Sequence, residues 1–191
     1  METLYDLVEK FVISSFSEEA LKNQLTHFKR TVHWVKELNP EADEALLISA
    51  IAHDIERSVR KEEVLKKIKE IGLTSSDFLK NHQERGAEII ANFLEEQGAE
   101  NELIDKVKRL VSKHEVGGDE EQNLLKDADS LSFLENNLSY FLSPEKITAT
   151  GGIEKVKEKI SWMFNRITSD KAKQIAQPWY DKAMKEMGEI I

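Results

Sequence analysis

The sequence predicts an all-α fold, a single compact helical bundle that includes residues 1–191. Apolar residues recur at three- and four-residue spacing through most of the chain, which is the period of an amphipathic helix. No stretch alternates between apolar and polar residues as a half-buried strand does. The chain has only eight glycines and three prolines, which favours long regular elements with short connections. We therefore expect one helical domain without a sheet.

The first three helices are predicted from their apolar stripes and end signals. The stripe of the first contains Leu4, Leu7, Val8 and Phe11. The second helix follows Ser17, a suitable N-cap residue, and Asn39-Pro40 ends it. The third begins after that proline and carries an apolar run, residues 45–52, into His53-Asp54. Because the run is apolar on nearly every side, we expect this helix in the middle of the bundle.

The rest of the chain continues the helical period. Further helices are predicted at residues 58–71, 82–97, 103–114, 124–142, 153–168 and 170–188. Glycines mark several ends, among them Gly72, Gly98 and the pair Gly117-Gly118. The basic run between Arg60 and Lys69 is interpreted as a solvated helix face. We expect the last two helices to pack on the preceding bundle.

Composition excludes several classes of function. The formal net charge is −9, whereas a dedicated nucleic-acid-binding protein normally presents a net basic surface. The chain has no cysteine, so any metal must be held by nitrogen and oxygen. The N-terminus lacks a signal peptide's basic and apolar regions, and residues 45–52 are too few to cross a bilayer. We predict a cytoplasmic protein without a membrane partner; its oligomeric state, a homo-oligomer included, is left open.

The positions of the histidines carry the functional information. Of five histidines, four occupy helix positions from which they could converge on one interior site. These are His27, His53, His82 and His114. His53 is followed directly by Asp54, and a later acidic segment contains Asp127 and Asp129. Adjacent residues in mid-helix point about 100° apart, so His53 and Asp54 can reach one ion only where the helix ends.

These residues resemble the HD-domain superfamily of metal-dependent phosphohydrolases. The family pattern is a first histidine, an adjacent His-Asp pair after an apolar helix, and a later aspartate in an Ala-Asp-x-Leu context. Here the pattern falls on His27, His53-Asp54 and Asp129. In relatives with two metals, two further histidines stand where His82 and His114 occur. The resemblance includes roughly residues 20–135 and implies an HD-type helical bundle with one or two ions, bridged in the second case by Asp54.

The donor set restricts the metal and the chemistry. Imidazole and carboxylate together suit iron, manganese, zinc, cobalt or nickel, and magnesium less well. Such an ion lowers the pKa of a bound water and clamps phosphoryl oxygens. Arg30 lies one turn from His27 and Arg57 lies four residues after His53, so both are candidates for binding the substrate phosphate. Glu56 is a candidate general base or a partner behind a ligand. Lys159 and Arg166, on a later helix, are further cations that could approach the same cleft, but only their charge suggests it.

Several of these residues have an alternative structural role. Asp129 is also a candidate N-cap, with Asp127 then serving as the ligand. His82 and His114 are also candidates for a cap, a substrate contact or a surface position. Glu56 and Arg57 together can form a solvent-facing charged turn. For Trp162, Trp179 and Tyr180 we prefer a place in the core over stacking on a base, and for His33 a structural role.

Taken together, the sequence predicts a metal-dependent hydrolase, either a phosphomonoesterase or a phosphodiesterase, in which Asp54, Arg57 and Glu56 take part in catalysis. The expected partner is a phosphate ester of a small molecule, with a nucleotide as the preferred class. A di-iron oxygenase on the same scaffold is the main alternative, and a non-catalytic nucleotide-binding protein is a third. Iron content, dioxygen dependence and the effect of metal removal would separate the three.

Overall fold

The computed structural model describes residues 2–60 and 74–190 of the chain, and this part is all-α, as the sequence predicts. Its helices are α1 Leu4–Ser15, α2 Glu18–Leu38, α3 Glu44–Ala52, α4 Ser76–Glu96, α5 Asn101–Val111, α6 Glu120–Asn136, α7 Leu138–Phe141, α8 Pro144–Thr150, α9 Ile153–Asn165 and α10 Asp170–Ile190. A 3-10 turn, Ile55–Val59, follows α3. Most of the basic helix predicted at residues 58–71 lies outside the described residues.

Side-chain caps explain several helix starts. Thr3 and Asp6 form a capping box at α1, and Asp43 accepts a hydrogen bond from the backbone of Leu46 at α3. Asp119 and Gln122 form a second capping box, so α6 begins before the predicted residue 124. The helix predicted at residues 124–142 is divided, because α6 ends at Asn136 and α7 follows. The short helix α8 was not predicted; Ser143 caps it and Pro144 is its first residue.

Two apolar cores share helix α6. The first contains buried residues of α1 to α5, together with Leu125 and Ala128 of α6. The second contains Leu131, Phe133 and Leu134 of α6, together with residues of α9 and α10. Helix α2 packs along α6 and α3, and α9 and α10 also pack on α6. The C-terminal helices therefore pack against the helix that carries Asp129.

Helix α3 lies inside the first core. Seven of its nine residues are buried, as its nearly uniform apolar sequence predicts. The helix ends at Ala52, and Asp54 leaves the helical conformation with φ −101° and ψ 16°. This ending brings two neighbouring polar side chains, His53 and Asp54, into the protein interior, where both are almost fully buried.

No helix within residues 2–60 and 74–190 combines the length and the apolar character that a membrane span requires.

Candidate metal centre

Four buried imidazoles from four parts of the chain meet in the interior. His27 lies in α2, His53 at the end of α3, His82 in α4 and His114 just after α5. Neighbouring rings of the set lie 5.1–5.3 Å apart between centroids. Each of the four is at most 3% exposed. Polar rings buried this deeply need partners for both nitrogens.

One nitrogen of each ring is anchored by the protein in the same way. Each Nδ1 lies 2.8–2.9 Å from an oxygen atom: His27 from Ser132 Oγ, His53 from Ala50 O, His82 from Glu56 Oε2 and His114 from Val111 O. The Ser132 hydroxyl donates its hydrogen to the carbonyl of His27 at 2.7 Å, so it accepts from His27 Nδ1. In a neutral ring the Nδ1 atom therefore carries the hydrogen, and the Nε2 lone pair is the one that can bind a metal.

The first ligand group consists of His27, His53, Asp54 and Asp129. The two imidazole Nε2 atoms are 3.2 Å apart. Asp129 Oδ1 lies 3.2 Å from His27 Nε2 and 3.5 Å from His53 Nε2. Asp54 Oδ2 lies 3.5 Å from His53 Nε2 and 3.9 Å from His27 Nε2. The sequence-predicted set of four residues is thus together at one point.

The second ligand group consists of Asp54, His82 and His114. Asp54 Oδ1 lies 2.8 Å from His82 Nε2 and 3.9 Å from His114 Nε2. The other oxygen of the same carboxylate faces the first ligand group, so Asp54 stands between the two groups. Within each of the sets His27–His53–Asp54 and Asp54–His82–His114, the ligand atoms lie within 4.8 Å of one another. This is the arrangement expected of a bridging carboxylate.

Two observations show that the residues suit a metal ion. Ligand atoms about 2.1 Å from a common ion are separated by roughly 3.0–3.4 Å, close to the shorter spacings of the first group. In addition, His114 Nε2 is buried and has no hydrogen-bond partner within the described residues. A buried lone pair without a partner is costly unless a ligand completes it. Buried His and Asp side chains here can therefore hold a metal ion.

The charges of the centre also call for a cation. Burial disfavours the charged form of Asp54, but Arg57 and His53 outweigh this and hold the pKa of the carboxyl well below its usual range. Burial lowers the pKa of His114 to about 4. At His53, burial is outweighed by the carboxylates of Asp54 and Asp129, which raise its pKa to about 9. The carboxylates therefore remain ionised and attract positive charge, as a proton or as a metal.

Arg166 anchors the outer side of the first ligand group. Its guanidinium forms ion pairs with Asp129 Oδ2 and with Glu115, and its Nε donates to Ser130 at 2.8 Å. Asp129 is thereby oriented so that its other oxygen, Oδ1, faces His27 and His53. In the sequence, only its charge made Arg166 a candidate for the site. In the structure it lies next to the first ligand group and pairs with Asp129 and Glu115.

Glu56 lies behind His82. Its Oε2 accepts from His82 Nδ1 at 2.8 Å and from Arg60 Nε at 2.9 Å. Burial would raise the pKa of Glu56, but the hydrogen bonds from His82 and Arg60 lower it to about 2. Of the two roles considered from the sequence, a partner behind a ligand agrees with this geometry.

Comparison with known protein families assigns the chain to one family. The family model that matches it, over residues 12–187, describes a domain of unknown function, DUF4202. The chain belongs to this family. No curated protein and no solved structure matches the chain. The range of the DUF4202 match contains both ligand groups and nearly the whole of α10, so the C-terminal helices are part of the family's domain.

Two further sequence predictions for this DUF4202 chain concern aspartates and arginines. Asp127 accepts hydrogen bonds from the backbone of Thr168 and Ser169, both at 2.8 Å, whereas Asp129 contacts the imidazoles. Of the two aspartates, only Asp129 is thus placed as a ligand. Arg30 makes two hydrogen bonds of 2.7 Å to Glu135. No contact of Arg30 with either ligand group is found in the described part of the chain.

Arg57 lies beside the ligands of the DUF4202 domain. One terminal nitrogen is 2.9 Å from Asp54 Oδ2, while Nε is buried and has no partner among the described residues. About a third of the side chain is exposed, at 34%. Arg57 therefore contacts Asp54, is partly accessible to solvent, and has an Nε donor without a hydrogen-bond partner among the described residues.

Sequence reasoning missed two anchoring residues of the domain. Ser132 and Glu115 have types that are common on any protein surface, and neither belongs to the motif. A weak signal exists for each: Ser132 follows Asp129 by three residues on one helix, and Glu115 is adjacent to His114. Their partners His27 and Arg166 are far away in sequence, so only the fold shows the contacts.

Proposed function

We propose that this protein is a metal-dependent phosphohydrolase that cleaves a phosphate ester of a small molecule. The observation that carries the proposal is the set of four imidazoles whose Nε2 atoms face Asp54 and Asp129. All four rings are held by their Nδ1 atoms, which is how proteins prepare histidines for metal binding. The resemblance to HD-domain enzymes supports hydrolysis, and it makes a nucleotide the preferred substrate class.

His27, His53, Asp54 and Asp129 would hold the first ion, and Asp54, His82 and His114 a second. Nitrogen-rich donors with carboxylates favour iron, manganese, zinc, cobalt or nickel over magnesium. When bound, such an ion lowers the pKa of a coordinated water and polarises a phosphoryl oxygen. Whether one ion or two are bound is decided by His82 and His114, which belong to the second group alone.

The chain's own residues prepare the remaining part of the reaction. Arg57 is the cation best placed to bind a phosphoryl oxygen, since its Nε is unpartnered and its side chain is partly exposed. Arg166 keeps Asp129 ionised and oriented. Ala50, Ile51 and Ala52, the residues of α3 directly before His53, are almost fully buried, so this part of α3 faces no solvent.

The test begins with protein purified without chelator. We expect elemental analysis to find one or two equivalents of a transition metal, and a panel of nucleoside monophosphates, diphosphates, cyclic nucleotides and sugar phosphates to include a substrate. Asp54→Ala removes the carboxylate that both ligand groups share. We expect this variant to lose metal and at least 100-fold in turnover, the order of effect that loss of a central catalytic group produces.

A matched control uses the histidine outside the cluster. His33 is half-buried and packs edge-on against Trp34, so His33→Gln should keep metal content and turnover. Full turnover in Asp54→Ala would contradict the proposal. Dioxygen consumption by an iron-loaded protein, without hydrolysis of any phosphate ester, would instead assign the same ligands to a di-iron oxygenase.

A further inference from the structure

Lys159 is a buried lysine without an ionic partner. It lies in α9, and only 7% of the residue is exposed. No hydrogen bond or ion pair of its amine is found within the described residues. The amine instead lies over two rings, 4.4 Å from the centroid of Trp162 and 5.9 Å from that of Phe133. Arg166, which pairs with Asp129, lies over the same Trp162 ring at 4.6 Å. The lysine and the arginine therefore contact one common ring.

Three carboxylates of the candidate metal centre and its surroundings form ion pairs with two arginines and not with Lys159. Asp54 pairs with Arg57, while Glu115 and Asp129 share Arg166. Lys159 is close enough to Glu115, Arg166 and Arg57 for their charges to act on it. Its amine is therefore a positive charge at the edge of the candidate metal centre that forms no direct ion pair with these carboxylates.

A second lysine approaches from the neighbouring helix. Lys146 of α8 is half-buried, and its amine lies over the rings of Tyr140 and Phe141 at 5.1 and 5.0 Å. It has no carboxylate partner in the part of the chain that the structure describes. Phe141 packs against Phe133 at 4.9 Å between ring centroids, and the amine of Lys159 lies over Phe133, so the two lysines lie on adjoining aromatic rings. Burial and, to a smaller extent, the charge of Arg57 lower the pKa of both lysines, which agrees with three cations in one region.

Unpaired buried cations are expensive to keep. Burial and the charges of Arg166 and Arg57 lower the pKa of Lys159 to about 8, although Glu115 and Asp129 act in the opposite direction. A protein gains stability when such a lysine is replaced by an apolar residue, unless a ligand supplies the missing negative charge. The bound ligand of this region should therefore be an anion.

We propose that Lys159 and Lys146, together with Arg57, bind the phosphate of a phosphomonoester dianion next to the metal centre. The inference rests on the proposed function and narrows its substrate class. Two lysines in addition to the arginine suit a terminal phosphate with two negative charges better than a phosphodiester with one. The site is built by α8 and α9, which gives the C-terminal helices a role in substrate selection.

The first experiment measures binding of inorganic phosphate to the metal-loaded full chain by titration calorimetry. Lys159→Met removes the charge and keeps the length of the side chain, and Lys157→Met is the matched control, since Lys157 is exposed on the same helix. We expect Lys159→Met to weaken phosphate binding by about 10- to 100-fold, the range for loss of a charged hydrogen bond. Lys157→Met should bind as the wild type does. Lys146→Met gives a second, independent variant, expected to weaken binding in the same direction.

The second experiment compares a monoester with a diester, para-nitrophenyl phosphate and its bis-ester. We expect the wild type to prefer the monoester and Lys159→Met to reduce that preference about 10-fold or more. Metal content should be unchanged in both lysine variants, and thermal unfolding should show that they are folded. A purely structural lysine would change unfolding without changing the ratio of the two rates.

The outcomes separate this inference from the proposed function. Phosphate binding that depends on Lys159, without turnover of any ester, would support the anion site and reject the hydrolase. Turnover of esters with equal phosphate affinity in wild type, Lys159→Met and Lys146→Met would keep the hydrolase and overturn the anion site. A metal-loaded wild type that binds no phosphate, or that prefers the diester, would also overturn it.

Discussion

At the scale of single residues, Glu56 shows how geometry separates two chemical roles. A general base near neutral pH needs a pKa close to the working pH and a position facing the substrate. Glu56 has a pKa of about 2, and its oxygen is engaged by His82 and Arg60. Its contacts are those of a residue that orients a metal ligand.

The first prediction follows from this position. Glu56→Gln should weaken metal binding by about 10- to 100-fold, because partners behind metal-bound histidines have effects of this size. Competition with a chromogenic chelator measures the affinity. Glu84→Gln, on the exposed face of the same helix as His82, is the control and should leave the affinity unchanged. Unchanged metal affinity with a large fall in kcat would show that Glu56 is a base after all.

Lys159 gives a second prediction, on stability and pH. The folded pKa is lowered from 10.5 to about 8, so the cost of the buried charge is present in full below pH 8. Between about pH 8 and 10.5 the unfolded chain holds a proton that the folded protein has released, and wild-type stability therefore rises. Lys159→Met should be more stable at pH 7, by up to about 3 kcal/mol, and this advantage should disappear toward pH 10.5.

Urea unfolding of both proteins at several pH values, in phosphate-free buffer, measures this difference. Phosphate must be absent because a bound anion would offset the buried charge. Lys157→Met serves again as the control and should show no pH-dependent difference from the wild type. An advantage of Lys159→Met that does not change between pH 7 and 10.5 would indicate a packing effect without titration.

The residues of the two ligand groups could be selected from the sequence, whereas most of the residues that anchor them could not. His53 and Asp54 are recognisable because a polar pair at the end of an apolar helix is unusual and costly. Ser132 and Glu115 have ordinary types and act through partners that are distant in sequence, His27 and Arg166. Their roles depend on helix packing, which residue spacing alone does not determine.

At the scale of secondary-structure elements, α6 uses two nearby aspartates for different tasks. Asp129 Oδ1 faces the imidazoles of the first ligand group. Asp127 accepts from Thr168 and Ser169, and so fixes the connection between α9 and α10. Arg166, which pairs with Asp129, is the first residue of that connection. Helix α6 thus carries the ligand residue Asp129. Through Asp127 it also holds the connection that contains Arg166, the ion-pair partner of Asp129.

The third prediction separates these two tasks. Asp127→Ala leaves two backbone N–H groups without their acceptor and should lower the free energy of unfolding by about 1–3 kcal/mol, with metal content retained. Asp129→Ala should lose metal from the first ligand group. Urea unfolding with chelator present, combined with elemental analysis without it, distinguishes the two. If Asp127→Ala lost metal and Asp129→Ala kept it, the result would favour the alternative in which Asp127 is the ligand.

Helix existence followed from the sequence more reliably than helix ends. The period of apolar residues predicts the helices that pack on the cores, since burial requires that period. Their ends depend on caps such as Asp119, whose type also suits an ordinary loop. The short helix α8, which carries Lys146, has too few residues for a periodic pattern to be visible. Lys146, which we propose to bind phosphate, was not selected from the sequence for the same reason.

At the scale of the whole molecule, the candidate metal centre lies where the two apolar cores meet. Asp129 stands on α6 between Ala128 of the first core and Leu131 of the second. His27 and His53 come from helices of the first core, while Arg166 follows α9 of the second. An ion bound here would connect side chains that both cores position. Its removal should therefore affect the whole fold.

The fourth prediction concerns this coupling. A ligand present at 100 times its dissociation constant stabilises the folded state by about 2.7 kcal/mol, so stripping the metal should lower the Tm by roughly 5–10 °C for a chain of this size. Calorimetry before and after chelation measures the shift, and restoring the metal should reverse it. Asp54→Ala should show no shift on chelation, because neither ligand group is complete without that carboxylate. If the Tm of the wild type did not change on chelation, no ion would connect the two cores.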